Sequence, residues 1–522
     1  MPLRQIKTRI GLALAATACI AAVAAASAQA ASAAPVGAFT KKGAWSFVSA
    51  PKLHPPKLST LRPTATSKLA PGYFMVANFK NLTTSAPMVG EGGPLILDNK
   101  LAPVWFNPVG TNQLAGNLRE QSYRGKPVLT YWQGLISSVG ETTSGQFIVV
   151  DQHYKKIATI KGQDGWVLSE HDFVISGGDA WVTAYKDVPM DLSAFGGLTT
   201  GTLSDSAVQE YDLKTGKLVK TWDALQHIPL TQSQTHPAPV PGIAWDAYHI
   251  NSIELTGGGS FLTSFRNTWA AYMVNSAGNV DWTLSGNQNI STYKLPSNAQ
   301  FQFQHDVQLL PGNTVSLFND ACCNILGKGK FAPPIGPTTA LVLKLNNSNH
   351  TGSLVSSYSR GKKFNAAFLG STQVLSNGNV AIGWGSQPLF SEVSRTGKVL
   401  LDAAWPNPDV NYRVYVQKWT GIPSWAPNGA VRKSGAKTTV YASWDGSTQV
   451  TTWRVLGGKD AKHLATVTTK TKNGFETAIP LGAVSFKAYK VQAIDSKGHV
   501  LRTSGAFPQS GGSGTSQLPQ GY

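Results

Sequence analysis

Cysteine is nearly absent. The 522 residues hold three, and two of them are the neighbours Cys322 and Cys323 in "NDACCN". Two adjacent thiols cannot frame a disulfide scaffold and are too few to close a structural zinc site. A vicinal disulfide and two separate thiols both stay open for the pair. Charge is also scarce, at 14% of residues against roughly 25% in ordinary soluble domains. Asp and Glu number 27, and none cluster with the spacing of a calcium loop or a carboxylate metal site. Lys and Arg are scattered, which speaks against nucleic-acid binding. Beyond the N-terminus no apolar run is long enough to span a bilayer. The P-loop, Rossmann, G-x-S-x-G and H-E-x-x-H fingerprints are missing, and no cofactor and no metal is expected.

What is present begins with a leader. "MPLRQIKTR" is a basic head and "IGLALAATACIAAVAAA" an apolar stretch, followed by the small-residue sites "SAQA" and "ASAA". Residues 1–34 therefore read as a secretory signal cut between Ala30 and Pro35, and the mature protein as secreted or extracytoplasmic, not integral to the membrane. Ala16-Thr17-Ala18 before Cys19 lacks the large aliphatic residue of a lipoprotein site. The formal charge of +18 includes Arg4, Lys7 and Arg9, so removing them leaves +15. A basic exported chain suits small anions or an anionic envelope polymer.

Residues 35–71 are Pro-rich and read as an extended lead-in. From 72 to 420 short β runs alternate with turns such as "LKTGK", "NSAGN" and "LSNGN". Four segments share one pattern of strand, Gly/Asn turn and second strand. They are "SEHDFVISGGDAWVTAY", "YHINSIELTGGGSFLTSF", "FQHDVQLLPGNTVSLF" and "LGSTQVLSNGNVAIGWG". With two degenerate units before them, about six four-stranded repeats predict an all-β, six-bladed β-propeller, which hides strand edges by radial packing. Residues 424–507 read as an immunoglobulin- or fibronectin-III-like β-sandwich, and 508–522 as a disordered tail.

In three of the four clear repeats a histidine holds the same place: His171, His249 and His305. The fourth has Ser371-Thr372. If the innermost strands line a central channel, these imidazoles meet in one funnel, where they suit nucleophilic attack, proton transfer or anion binding. Three imidazoles would also suit a metal ion. Strand alternation should turn Asp172 and Asp306 to the opposite face and give Asn251 the same face as His249. Arg266, one strand on, is placed to hold an oxyanion. Arg413, near the closing strand, reads as structural, and Lys328 and Lys330 as loop cations.

At these residues the chain resembles the exported bacterial arylsulfotransferases. The matching elements run in order: "SAPKLHPPKL" with "PGYFMVANF", "EHDFVIS…AWVTAY", "WDAYHINSIEL…FLTSFRNTWAAYMVN", "FQFQHDVQLLPGNTVSLFND", "QVLSNGNVAIGWGSQPLFSEVSRTGKVL" and "YRVYVQKW". The resemblance implies a six-bladed propeller that moves a sulfuryl group from a phenolic sulfate ester to a phenolic acceptor through a sulfohistidine, without a nucleotide donor. It implies His249 and His305 as catalytic residues with Arg266 as an anion contact; His171, by its equivalent place, and Asn251, by its strand face, are expected to join in binding the substrate. It also implies a histidine in a late blade, yet none falls between residues 351 and 462. That leaves His249 or His305 as nucleophile, or a direct transfer without a sulfohistidine. The competing reading is a non-catalytic propeller that binds an anionic ligand or an envelope polymer, the latter through its C-terminal domain.

Overall fold

A computed structural model describes residues 38–81, 84–137, 142–321, 325–326, 330–331, 336–509 and 511–512. The leader at 1–34, Cys322, Cys323 and Lys328 lie outside the described residues. The fold is all-β: among the described residues, helix is limited to the single turn Ala224–His227 and a few 3-10 turns.

Between residues 73 and 417 consecutive strands pair into antiparallel sheets, most of them of four strands. One sheet holds Leu114–Tyr123, Lys126–Ile136, Thr142–Val150 and Lys156–Lys161, and the next Val167–Ser176, Asp179–Met190, Gly201–Asp212 and Leu218–Asp223. Then come Ile250–Gly257, Ser260–Phe265, Ala270–Val274 and Val280–Ser285, followed by His305–Leu310, Thr314–Asn319, Thr339–Asn346 and Thr351–Tyr358. Ser371–Val374 opens a sheet with Val380–Gly383, Leu389–Val393 and Val399–Ala404. The four repeats read from the sequence are the opening hairpins of four of these sheets. Gly257, Gly258 and Gly259, at φ +93°, +61° and +83°, make one of the turns in a conformation that side chains with a Cβ resist.

The opening strands touch one another in turn, so they form the inner wall. Middle strands are apolar on both faces because sheets cover both sides. Phe147 and Val149 pack with Ala180, Val182 and Tyr211 of the next sheet. Tyr73–Lys80, with Gly93–Leu97 and Pro103–Phe106, is completed by two short strands from the far end, Asp409–Asn411 and Tyr415–Gln417. Val414 N and Val416 N then donate to Ser371 Oγ and Gln373 Oε1 of the last sheet, at 3.1 and 2.8 Å.

Residues beyond 424 form two sheets. Asn428–Ser434, Lys437–Ser443 and Glu476–Gly482 make one, and Thr452–Gly458, Leu464–Thr471, Ala488–Ile494 and Val500–Thr503 the other. They share a core of Val431, Val440, Trp453, Val455, Tyr489 and Val491. Part of the segment expected from 508 as a tail is in strands. Pro508 pairs with Ala488, and Gly511–Gly512 pair with Val431 and Ala430, because that strand edge offers free backbone groups. Residues 513–522 lie outside the described residues.

The Pro-rich lead-in joins the two parts. Ser59–Thr60 extends the sheet at Ala403 and Ala404. Val48 N donates to the Glu476 carboxylate at 2.7 Å, Ser49 Oγ to Ser443 Oγ at 2.8 Å, and Phe47 meets Phe475 at 4.4 Å between ring centroids. Glu476→Ala should leave amides of the lead-in unpaired and cost about 1–3 kcal/mol, read as a lower thermal midpoint by calorimetry.

Candidate active site

The inner wall carries β-bulges at similar heights. Pairing slips between Gly116 and Arg119, Leu168 and Phe173, Ile250 and Ser252, and His305 and Gln308. His249 stands just before its strand at φ +59°, and Asp306 sits at +53°, unusual for residues with a side chain. The bulges break simple alternation and aim consecutive side chains inward.

His171, His249 and His305 meet. One ring nitrogen from each lies within 4.8 Å of the others. The His171 ring centroid is 5.0 Å from that of His249 and 6.3 Å from that of His305, and 249 and 305 are 6.2 Å apart. Tyr412 covers the cluster, 5.4 Å from His171 and 6.2 Å from His305. His249 also lines a pocket of about 330 Å³ with Asp246, Tyr185, Thr142, Ser204 and Lys186. A larger cleft of about 840 Å³ lies between the lead-in and the C-terminal sheets, lined by residues such as Trp45, Lys100 and Phe475 and by none of the three histidines.

Two of the three Nδ1 atoms have hydrogen-bond partners. That of His249 bonds the Asp246 carboxylate, and that of His171 is 3.1 Å from Ser169 Oγ. His305 Nδ1 is 2.9 Å from Asp320 Oδ2, a close contact that lacks the alignment of a hydrogen bond. Nε2 of both His171 and His305 is buried with no hydrogen-bond partner among the described residues. Burial, then the neighbours His249, Arg413 and Arg266, hold His171 well below the ordinary imidazole pKa. Burial and Arg266 do the same for His305. Both are thus neutral imidazoles with a free lone pair near pH 7. Burial pushes Asp320 well up, against the pull of Arg266.

Arg266 sits beside this pair. Its Nε is 3.9 Å from Asp320 Oδ2, and its guanidinium lies 4.7 Å over the Phe303 ring. Nη1 and Nη2 donate to Asn267 Oδ1 and the Ala367 carbonyl, both at 2.9 Å, while Nε has no hydrogen-bond partner among the described residues. Asn251 is placed differently from the sequence expectation. The slip between Ile250 and Ser252 interrupts the alternation that would align it with His249. Its amide instead donates to the Gln304 carbonyl at 2.7 Å, bracing one inner strand against the next.

Asp172 and Asp306 also depart from the alternation argument. Both reach Arg413, whose Nη1 is 3.4 Å from Asp172 Oδ2 and 3.1 Å from Asp306 Oδ1. Arg413 donates further to the Asn251 carbonyl at 2.6 Å and Tyr415 Oη at 2.8 Å, and is 1% exposed. It is a structural hub tying three inner strands to the closing segment. Asp246, Asp320 and Tyr412 escaped the sequence reading. Only the three-residue spacing of Asp246 from His249 hinted at contact.

Glu254, on the strand that follows His249, is pushed up to about 7 by burial and by Asp172. A raised carboxyl contributes stability that is fully present below its unfolded value of about 4 and is lost as pH rises through about 7. Glu254→Gln should therefore flatten the fall in melting temperature between about pH 4 and 7.

These features define an all-β, propeller-like protein whose inner strands gather three imidazoles and a buried guanidinium, with His249 at the edge of a pocket. The Arylsulfotransferase (ASST) family model matches residues 119–405, over half of the chain. The chain belongs to that family. No curated protein matches it. Similar solved structures include a protein of unknown function from Bacteroides caccae, 12% identical over 66% of this chain and 98% of that one, with a TM-score of 0.38. The quinohemoprotein alcohol dehydrogenase of Comamonas testosteroni is 11% identical over 68% and 61%, with a TM-score of 0.29. The Dos1 propeller is 10% identical over 67% and 72%, with a TM-score of 0.27.

Proposed function

We propose that this protein is an exported arylsulfotransferase. It moves a sulfuryl group from a phenolic sulfate ester to a phenolic acceptor through His305 and His249. Residues 72–420 form a six-bladed propeller and 424–507 an immunoglobulin-like sandwich in this reading, with 1–34 removed on export. Membership of the family and the convergence of three imidazoles, of which His249 lines a pocket, support it, and the convergence is the observation that carries it.

The roles follow from the surroundings. His305 is neutral, keeps Nε2 free, has Asp320 behind Nδ1 and stands next to Arg266. Its Nε2 attacks sulfur, the S–O bond to the aryl group breaks, and the electron pair leaves on the phenolate. Arg266 stabilises charge on the sulfuryl oxygens. His249, at the pocket and held by Asp246, gives its proton to the leaving phenolate. The acceptor phenol returns a proton to His249 as its oxygen attacks sulfur, and the N–S bond breaks to restore His305. His171 contacts both rings and fixes their separation. His305 takes the part that the sequence resemblance gave to a later histidine. On the inner strand of the corresponding sheet, Ser371 and Thr372 bond Val414 N and Asp306 instead.

Incubation with 4-nitrophenyl sulfate and phenol should release nitrophenol and form phenyl sulfate between about pH 6 and 9. Absence of both products across that range would sink the reading and leave anion binding in its place.

A further inference from the structure

We propose that His171, His249 and His305 also form a site for one divalent transition-metal ion, such as Zn²⁺ or Co²⁺, reached from the 330 Å³ pocket that His249 lines. Three observations converge. The first is geometric: one nitrogen from each ring lies within 4.8 Å of the others. Tetrahedral ligands about 2.0–2.1 Å from a metal stand roughly 3.4 Å apart, so small ring rotations close the site.

The second is the support behind the rings. Each Nδ1 has a polar atom beside it: the Asp246 carboxylate bonds that of His249, Ser169 Oγ lies 3.1 Å from that of His171, and Asp320 Oδ2 lies 2.9 Å from that of His305 without hydrogen-bond alignment. Metal-bound imidazoles are held by such contacts, which fix the tautomer and leave Nε2 for the ion. The third is the pair of orphaned atoms. Nε2 of His171 and of His305 are nine-tenths or more buried with no hydrogen-bond partner among the described residues. An unpaired buried nitrogen is costly, and a metal would satisfy both at once.

The donor set selects the ion. Imidazoles suit zinc, cobalt, nickel or copper and not calcium or magnesium. Arg266 and Arg413 bring positive charge nearby, but each lies against buried carboxylates, Asp320 for one and Asp172 with Asp306 for the other. Metal binding itself stands on geometry alone. Its consequence rests on the proposed transferase reading: an ion on Nε2 excludes the sulfuryl group from His305, so the metal inhibits transfer.

The test is a Co²⁺ titration of the chelator-treated full chain. The expected result is a saturable visible band of four- or five-coordinate cobalt at one ion per chain. Asp246→Asn, which keeps all three ligands, should weaken binding about 10–100-fold, and His171→Ala should abolish the band. His463→Ala, at an exposed histidine paired with Asp460, should leave it unchanged. No band at one equivalent would overturn the proposal, as would a band that survives His171→Ala and vanishes in His463→Ala. The wild-type titration stands even if a variant of a buried histidine fails to fold. Nitrophenol release by the same metal-free protein is scored separately. Cobalt binding without transfer would defeat the transferase reading alone, and transfer without cobalt binding the metal site alone.

Discussion

His305→Ala should lower nitrophenol release by roughly 10⁴-fold or more, with no sulfated protein trapped after rapid quenching. Removing a covalent nucleophile leaves only the binding and charge stabilisation of the site. His249→Ala should act differently. Loss of general acid–base help costs about 10²–10⁴-fold, and the loss should depend on the leaving group. 4-Nitrophenolate departs without a proton, so 4-nitrophenyl sulfate should suffer far less than phenyl sulfate. Sulfated His305 should then accumulate when the acceptor is a weakly acidic phenol. Equal losses for both donors would remove the acid–base role from His249. An unchanged rate in His305→Ala would remove the nucleophile assignment.

The second large effect concerns stability. Arg413→Ala should destabilise the protein by about 3–5 kcal/mol, lowering the thermal midpoint by roughly 5 °C or more for a domain of this size. The cause is specific. Asp172 and Asp306 converge on the same guanidinium and would be left facing each other without it. The Asn251 carbonyl and Tyr415 hydroxyl would lose their partner as well. Arg413→Met combined with Asp172→Asn and Asp306→Asn should recover a substantial part of the loss, because the cost lies in unpaired charge. If the triple variant is no more stable than Arg413→Ala, packing around the arginine matters more than its charge.

The strand pattern and the histidine repeat were readable in sequence because both are local. A hairpin such as "YHINSIELTGGGSFLTSF" carries its own turn chemistry, and histidines at matching places reveal matching strands. The supports of the site were not local. Asp320 reaches His305 from the far end of the next strand, and Arg413 meets Asp172 and Asp306 from the end of the ring. Alternation failed at Asp172, Asp306 and Asn251 because bulges insert residues that no two-residue period accounts for. A positive φ at His249 leaves no mark in composition, since histidine has no general preference for it comparable to glycine's.

The closure of Tyr73–Lys80 by strands from residues 409–417 sets the order of events in folding. Ala77 and Asn411 hydrogen-bond across 334 residues of sequence, and Tyr412 and Arg413 arrive with that same segment. Such distant pairings are slow to form. A chain stopped short of residue 409 would hold all three histidines yet have neither the ring that covers them nor the cation beneath. The imidazoles thus come early in the chain, while Tyr412 and Arg413, which border them, come near the end of the ring.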